Sequence, residues 1–593
     1  MRIRNRFAVM LSGLMAMAGA MVLMTAPPTS AQNPAPFRLA NPKVTGPIPA
    51  RAPLGDPSHD YPWNATFHNL KAVGYVEEEY FFEGTASRFD TPAGQTGKLR
   101  DSGHKYVTRM VVRRPIDPKT FNGAVLAEWT NVTPGYDLDA MWGASFEHIV
   151  RGGYAWVGIS AQRVGLQQPP NGLKLWSPKR YAAIDVTDGG TITNDDLSYD
   201  IYAQAMQAIK HPQGVNPLGP LHAQRIIAMG ASQSAARLGA FINSLHSFLG
   251  GPVDAYILDI GGARVRDDLP VPVFKILSET DIPGQVPSRQ PDTNKYRQWE
   301  VVGASHSGQR TGFNSGALNR RDGVTREEAK CTYPMWPRTP INYPLGTSYG
   351  LVDRWIKDGT PPPIAPKAEI VTNPVPPAPA SATGQGGRGG GRGPSPFDYK
   401  RDSHGNALGG IRLSEFDVAT ALQTRENTGN SFCFLYGRYE PFPDAVINQL
   451  YPSHAAYVNA VKAKNAENLK AGYIQAADAA RSNRRAETSY IGSGDPCKQA
   501  CRLSQDLGDE TYIYLGLAKE VDKMGDDVAA ITRAIARSDG AKGKPADRAE
   551  ARSRLTKFVA DLRAMRARGV ITTTVERELT TGAEKVTAAL KET

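Results

Sequence analysis

Met229-Gly230-Ala231-Ser232-Gln233-Ser234-Ala235-Ala236 sets a serine among small residues, directly after the strand-like run Arg225-Ile226-Ile227-Ala228-Met229. Behind it, Ala235, Leu238, Ile242, Leu245 and Leu249 recur at helical spacing. A tight strand-to-helix turn forces its middle residue into a strained backbone with the side chain exposed above a sheet, and small residues two before and two after keep the chains there from clashing. Gly230 fills the first of those positions; Ser234 stands where a second glycine is usual. A serine hydroxyl is a poor nucleophile unless a base takes its proton and a carboxylate fixes the tautomer of that base. The chemistry implied at Ser232 is acyl transfer.

The acid and the base are expected downstream, in that order, each after a further strand. Val273 to Leu277 runs into Ser278-Glu279-Thr280-Asp281-Ile282-Pro283, and Trp299 to Val302 runs into Gly303-Ala304-Ser305-His306. His306 is the histidine, of ten, that stands just after a strand beyond the acid. Asp281 is favoured as the acid because the carboxylate must be carried a few residues past the strand to reach back under the imidazole. Glu279, nearer the strand but with a longer side chain, is the alternative. The oxyanion needs two backbone N–H groups. Gln233, the residue after the serine, supplies one. Asn131 is expected to supply the other from Thr130-Asn131-Val132-Thr133-Pro134-Gly135, with Thr130 as its rival.

These residues need a sheet to hold them. Tyr75 to Phe82 and Tyr106 to Val112 are rich in β-branched and aromatic residues and read as strands. After Pro115 and Pro118, strands at 123–129, 155–160, 225–229, 256–259, 271–277 and 296–302 alternate with helical stretches, among them 140–151 and one after Asp195 or Asp196 that either residue could cap. That alternation predicts an α/β architecture: a mostly parallel central sheet with helices on both faces. Residues 361–397, with Pro-Pro-Pro and repeated Arg-Gly, cannot bury enough apolar surface to order themselves and read as a flexible insertion. Gly384, Gly386 and Gly389 match GxGxxG there, without the strand and helix a dinucleotide site requires. Residues 451–480 and 506–591 are helix-rich, with a capping box expected at Thr573 and Glu576.

The motifs resemble a large bacterial α/β-hydrolase domain family of exported serine hydrolases. The resemblance rests on Tyr106-Val107-Thr108-Arg109 with Arg114-Pro115, Glu128-Trp129-Thr130-Asn131-Val132, Gly158-Ile159-Ser160-Ala161-Gln162, Gly230 to Ala235, Gly303-Ala304-Ser305-His306, Arg401-Asp402 to Gly409-Gly410-Ile411-Arg412 and Pro441-Phe442. It spans roughly residues 60 to 480. It implies the α/β-hydrolase fold and a Ser-His-Asp triad without a cofactor. The division expected along the chain is a signal peptide (1–31), a loose lead-in (32–56), a hydrolase core (57–360), the Pro/Gly-rich insertion (361–397), the remainder of the hydrolase domain (398–500) and a helical C-terminal extension (501–593). The expected reaction is hydrolysis of a small-molecule or polymeric carboxylic ester. The same atoms would serve amides, lactones or polyesters, and a non-catalytic secreted binding protein on a hydrolase scaffold is the rival from another class.

Composition agrees with an exported globular protein. The 593 residues are 40% hydrophobic, 8% aromatic and 21% charged, which excludes collagen-like, wholly disordered and coiled-coil chains. Arg2, Arg4 and Arg6, the apolar Phe7 to Met24 and the small residues Thr29-Ser30-Ala31 form a secretory signal, with a single-span anchor as the alternative. Removal of the signal leaves no segment expected to insert stably in a membrane, so the protein is expected to be periplasmic or secreted. A net charge of +11 is spread along the chain without a basic run carrying aromatics, so no nucleic-acid partner is expected. No zinc-ligand spacing, metal motif or phosphate-binding loop occurs. Glu77-Glu78-Glu79 reads as a solvated strand edge. Cys331, Cys433, Cys497 and Cys501 permit disulfides. The close pair suggests 497–501 with 331–433, free buried thiols being the alternative.

Overall fold

Alternating β-branched and aromatic residues build two strands longer than the sequence pattern suggests, β2 (Tyr75–Asp90) and β3 (Lys98–Pro115), which pair antiparallel. In this computed structural model, residues 38–373 and 395–592 are described. The expected signal peptide, the start of the lead-in and the glycines Gly384, Gly386 and Gly389 lie outside the described residues. The solvated edge expected at Glu77-Glu78-Glu79 is corrected. Glu77 accepts from Arg113 at 2.6 Å, Glu78 from Arg114 at 2.8 Å, and buried Glu79 from Arg109 and Arg180, both at 2.8 Å. Antiparallel register sets Glu77 opposite Arg113, so burial is matched by charge pairing.

β1 (Lys43–Thr45) adds to β2, and the sheet continues through β4 (Ala124–Trp129), β5 (Ala155–Ile159), β6 (Arg225–Ala231), β7 (Ala255–Asp259), β8 (Val273–Ser278) and β9 (Tyr296–Val301). The order is β1-β2-β3-β5-β4-β6-β7-β8-β9, parallel from β5 to β9. The parallel strands β4, β5, β7 and β8 are buried throughout, as strands covered on both faces must be. On one face, α1 (Ala140–Arg151) contributes Met141 and Phe146 to a core with Ile257 and Phe274. Glu128 positions α1: its carboxylate accepts the Met141 and Trp142 N–H groups at the helix start and the Trp156 indole, and burial pushes it up to about 8. On the other face, Tyr202 of α2 (Ser198–Lys210) stacks on Trp129, and Phe241 of α3 (Gln233–Leu245) meets the same indole edge-on. Neither Asp195 nor Asp196 caps α2. Its N-cap is Leu197, and the Asp195 carboxylate instead accepts the Arg163 N–H at 2.6 Å.

Further along, α4 (Gln309–Arg321) follows the histidine loop, and α5 (Asn342–Asp358) packs beside α1. The flanks of the Pro/Gly-rich segment are paired: β10 (Ile370–Thr372) runs antiparallel to β11 (Phe397–Tyr399), so the ends of the expected flexible stretch are strands. Two helices, α6 (His454–Lys470) and α7 (Ala476–Thr488), precede α8 (Gln499–Tyr514), α9 (Val521–Asp539), α10 (Pro545–Ala567) and α11 (Thr573–Glu592). The last four share a core of their own, with Leu507, Val528, Ile531, Leu555 and Leu579, joined by Leu318 of α4. The N-terminal cap of α11 falls one residue before Thr573: the Thr572 carbonyl accepts the Glu576 N–H at 3.1 Å. Cys331 is bonded to Cys433 and Cys497 to Cys501. Among the described residues no helix is long and apolar enough to cross a membrane.

Candidate active site

Ser232 sits between β6 and α3 with φ 58° and ψ −115°, a conformation that a non-glycine residue adopts only when its surroundings hold it there. Four hydrogen bonds do so. The Ser232 N–H donates to the Asp259 carbonyl at 2.9 Å. Ser234, at the position where glycine is usual, is fully buried; its Oγ donates to the Ala231 carbonyl at 2.8 Å and accepts the Ala231 N–H at 2.9 Å. Asn131 Nδ2 donates to the same carbonyl at 2.8 Å. The departure at Ser234 therefore fastens the turn. Gly230 is required on packing grounds, since a Cβ there would lie 2.9 Å from the Ser234 carbonyl oxygen.

Ser232, His306 and Asp281 meet. His306 Nε2 lies 2.8 Å from Ser232 Oγ, and His306 Nδ1 lies 2.7 Å from Asp281 Oδ1. The second Asp281 oxygen accepts from Ser278 Oγ at 2.6 Å, and the His306 N–H donates to Thr280 Oγ1 at 3.1 Å. Ser278 and Thr280 were legible only as neighbours of the acid; their roles follow from the loop doubling back, which no spacing announces. Burial of Asp281 and near-burial of the imidazole side chain, 7% exposed, keep water from competing for these bonds.

Glu279, the alternative acid, is placed elsewhere. Its carboxylate accepts the Gly303 N–H at 2.6 Å and the Arg425 N–H at 3.2 Å, tying the acid loop to the histidine loop and to the chain beyond the insertion. Burial pushes it up to about 7, opposed by Arg401 at 3.7 Å. Gly303 has φ +76° and its Cα faces the Phe416 ring, which an added Cβ would strike. Gly303→Ala is expected to destabilise by about 1–3 kcal/mol through overpacking; a denaturation midpoint equal to that of the parent would contradict this.

The structure places the expected oxyanion donors as follows. The Gln233 amide has no acceptor among the described residues. The Asn131 amide is committed to the Leu138 carbonyl at 3.0 Å, and Thr130, its rival, to Ile159 at 3.3 Å. The short antiparallel bridge between Asn131 and Leu138 that closes this loop is what consumes the donor. Val132, next along the loop, has an amide without an acceptor among the described residues.

Above Ser232 opens a cavity of about 740 Å³. Its lining includes the apolar Leu138, Ala140, Ala144 and Leu345, the aromatic Trp336, Phe432 and Tyr436, and the carboxyl of Asp259. Tyr512 and Tyr514 of α8 and Glu578 and Lys585 of α11 complete it, so the C-terminal helices form part of the wall. Periodicity in 506–591 signals which faces are buried, not that they face a site hundreds of residues away. Among the described residues no group of three or more His, Cys, Asp or Glu side chains is placed to hold a metal ion.

A family model described as an alpha/beta hydrolase domain matches residues 44–484, well over half of the chain. No curated protein matches. Similar solved structures include a Bacteroides fragilis chain assigned to the acetyl xylan esterases, 13% identical with a TM-score of 0.20, covering 34% of this chain. The chain spans 59% of that protein's length. They also include the esterase Est22, 14% identical with a TM-score of 0.24, over 43% of this chain and 82% of the other. The glucuronoyl esterase of Solibacter usitatus is 10% identical with a TM-score of 0.21, over 42% and 82%. None of these likenesses bears on substrate.

Proposed function

Since the chain belongs to the alpha/beta hydrolase domain family, we propose that it is a serine hydrolase cleaving carboxylic esters, with Ser232 as nucleophile, His306 as general base and acid, and Asp281 as the carboxylate that orients the imidazole. The observation that carries this reading is the unbroken relay from Asp281 Oδ1 through His306 to Ser232 Oγ, with both contacts under 3 Å. Ser232 Oγ attacks the ester carbonyl as its proton passes to His306 Nε2, and the imidazolium is stabilised by Asp281. The Gln233 amide, which follows the nucleophile, is the donor expected to receive the oxyanion. Collapse expels the alcohol, which takes the proton from His306, and leaves an acyl group on Ser232. Water, deprotonated by His306, then releases the acid and restores the serine. Water is the only co-reactant.

The two bonded cysteine pairs favour an oxidising compartment. With the leader read at 1–31, they support a periplasmic or secreted location. The ester reading is tested with purified protein on a panel of esters varied in acyl and alcohol parts, beside matched amides and lactones. Ester turnover well above that of the amides is expected. Amide turnover exceeding ester turnover would contradict the assignment.

A further inference from the structure

We propose that Asp259 is a substrate-binding residue whose carboxyl group donates a hydrogen bond to an oxygen substituent of the substrate, selecting esters that carry a hydroxyl, carbonyl or ether oxygen near the scissile bond over plain aliphatic esters. The inference rests on the ester-hydrolase reading and specifies its substrate class. Asp259 ends β7 beside the turn that carries the nucleophile. Ala231 is its partner in the ladder, and its own carbonyl receives the Ser232 N–H. The side chain is 5% exposed and lines the same cavity as Ser232, His306, Ala144 and Tyr343.

What distinguishes Asp259 is the want of a hydrogen-bond partner. The other buried carboxylates near the site are satisfied: Glu128 by two amides and an indole, Glu279 by two amides, Asp281 by Ser278 and His306. Asp259 Oδ1 is buried with no hydrogen-bond partner among the described residues. A buried polar group left without a partner is costly. A side chain kept in that state on the wall of a substrate cavity is best explained by a partner that arrives with the substrate.

The surroundings decide which form of the carboxyl is present. Burial holds the Asp259 carboxyl well above the usual carboxylate range, and the acids that face it, Asp281 after β8 and Glu128 on β4, push the same way. Tyr349 of α5 also faces it, His306 lines the same cavity, and Ala140 and Ala144 of α1 bring no charge. A neutral carboxyl has one O–H to donate. An anion there would instead oppose the negative oxygen that develops on attack by Ser232, so the neutral form is also the one compatible with turnover.

The test compares wild type, Asp259→Leu and Asp259→Asn on matched ester pairs that differ by one acceptor oxygen, placed in the acyl chain of one pair and in the alcohol of the other. Rates are normalised to alkaline hydrolysis of the same esters. The readout is the ratio of kcat/KM within a pair. A ratio of about tenfold or more in favour of the oxygenated ester is expected for wild type in at least one pair, the size of one neutral hydrogen bond. Asp259→Leu should bring that ratio to near unity. Asp259→Asn keeps a donor, so it should retain most of the preference. Equal losses on both members of each pair, a ratio unchanged in the leucine variant, or a ratio that falls to unity in the asparagine variant would overturn the proposal. Labelling of Ser232 by a fluorophosphonate separates the two failures: labelled enzyme without the preference overturns the role of Asp259 alone, whereas unlabelled wild type overturns the hydrolase reading beneath it.

Discussion

Replacement of Asp281 by asparagine is expected to lower kcat by up to about 10⁴ while leaving the fold intact, because the amide presents the wrong hydrogen-bonding group to His306 Nδ1 and mis-sets the tautomer. Glu279→Gln is the matched control. Its carboxylate is bonded to the Gly303 and Arg425 amides and does not contact the imidazole, so turnover should change far less. Its effect belongs to stability. With the folded value raised to about 7 from an ordinary value of 4.5, the contribution of this carboxyl is fully present below about pH 4.5 and is lost as pH rises through 7. Wild type should therefore lose stability relative to Glu279→Gln across that window. Steady-state rates on any accepted ester, with unfolding curves at pH 5 and pH 8, check both. A larger kinetic loss for Glu279→Gln, with both variants folded, would transfer the orienting role to Glu279.

The second large effect is on stability. Cys331 and Cys433 close a loop of 102 residues that contains the Pro/Gly-rich segment, and a cross-link of that span constrains the unfolded chain by about 4.7 kcal/mol in the chain-entropy description. The Cys497–Cys501 bridge closes a separation of only 4, for which the same relation gives about 2 kcal/mol. Paired serine replacement of Cys331 and Cys433 should therefore lower the denaturation midpoint more than paired replacement of Cys497 and Cys501. Since Phe432, beside Cys433, lines the cavity, the first pair should also alter turnover of bulky esters more than that of small ones. Peptide mapping without reduction that finds Cys331 and Cys433 as alkylated free thiols would contradict the bridge.

Local spacing carried some of this site and not the rest, for physical reasons. A strand, a turn of small residues and a helix are contiguous, so the position of Ser232 could be read directly, and the order of later strands pointed to Asp281 and His306. The partner of the Asn131 amide was not legible, because the fate of one amide depends on whether the loop closes on itself, and here it closes on Leu138. Charge patterning made Glu77, Glu78 and Glu79 look solvated because their arginine partners lie some thirty or more positions away. The ladder register of Ala231 with Asp259 and the approach of Tyr512 to the cavity are likewise set by folding alone. Strand patterns placed the sheet within a few residues, with the largest shortfall in β2 and β3, whose distal halves carry polar residues that blur the alternation.

Ser232 as nucleophile is the claim on which the rest depends, and covalent labelling by a fluorophosphonate, followed by intact mass and peptide mapping, tests it most directly. One adduct per chain is expected, on Ser232. The adduct should be absent from Ser232→Ala, whose ester turnover should fall by a factor on the order of 10⁶. Labelling of the alanine variant at another serine, or undiminished ester hydrolysis by it, would contradict the account.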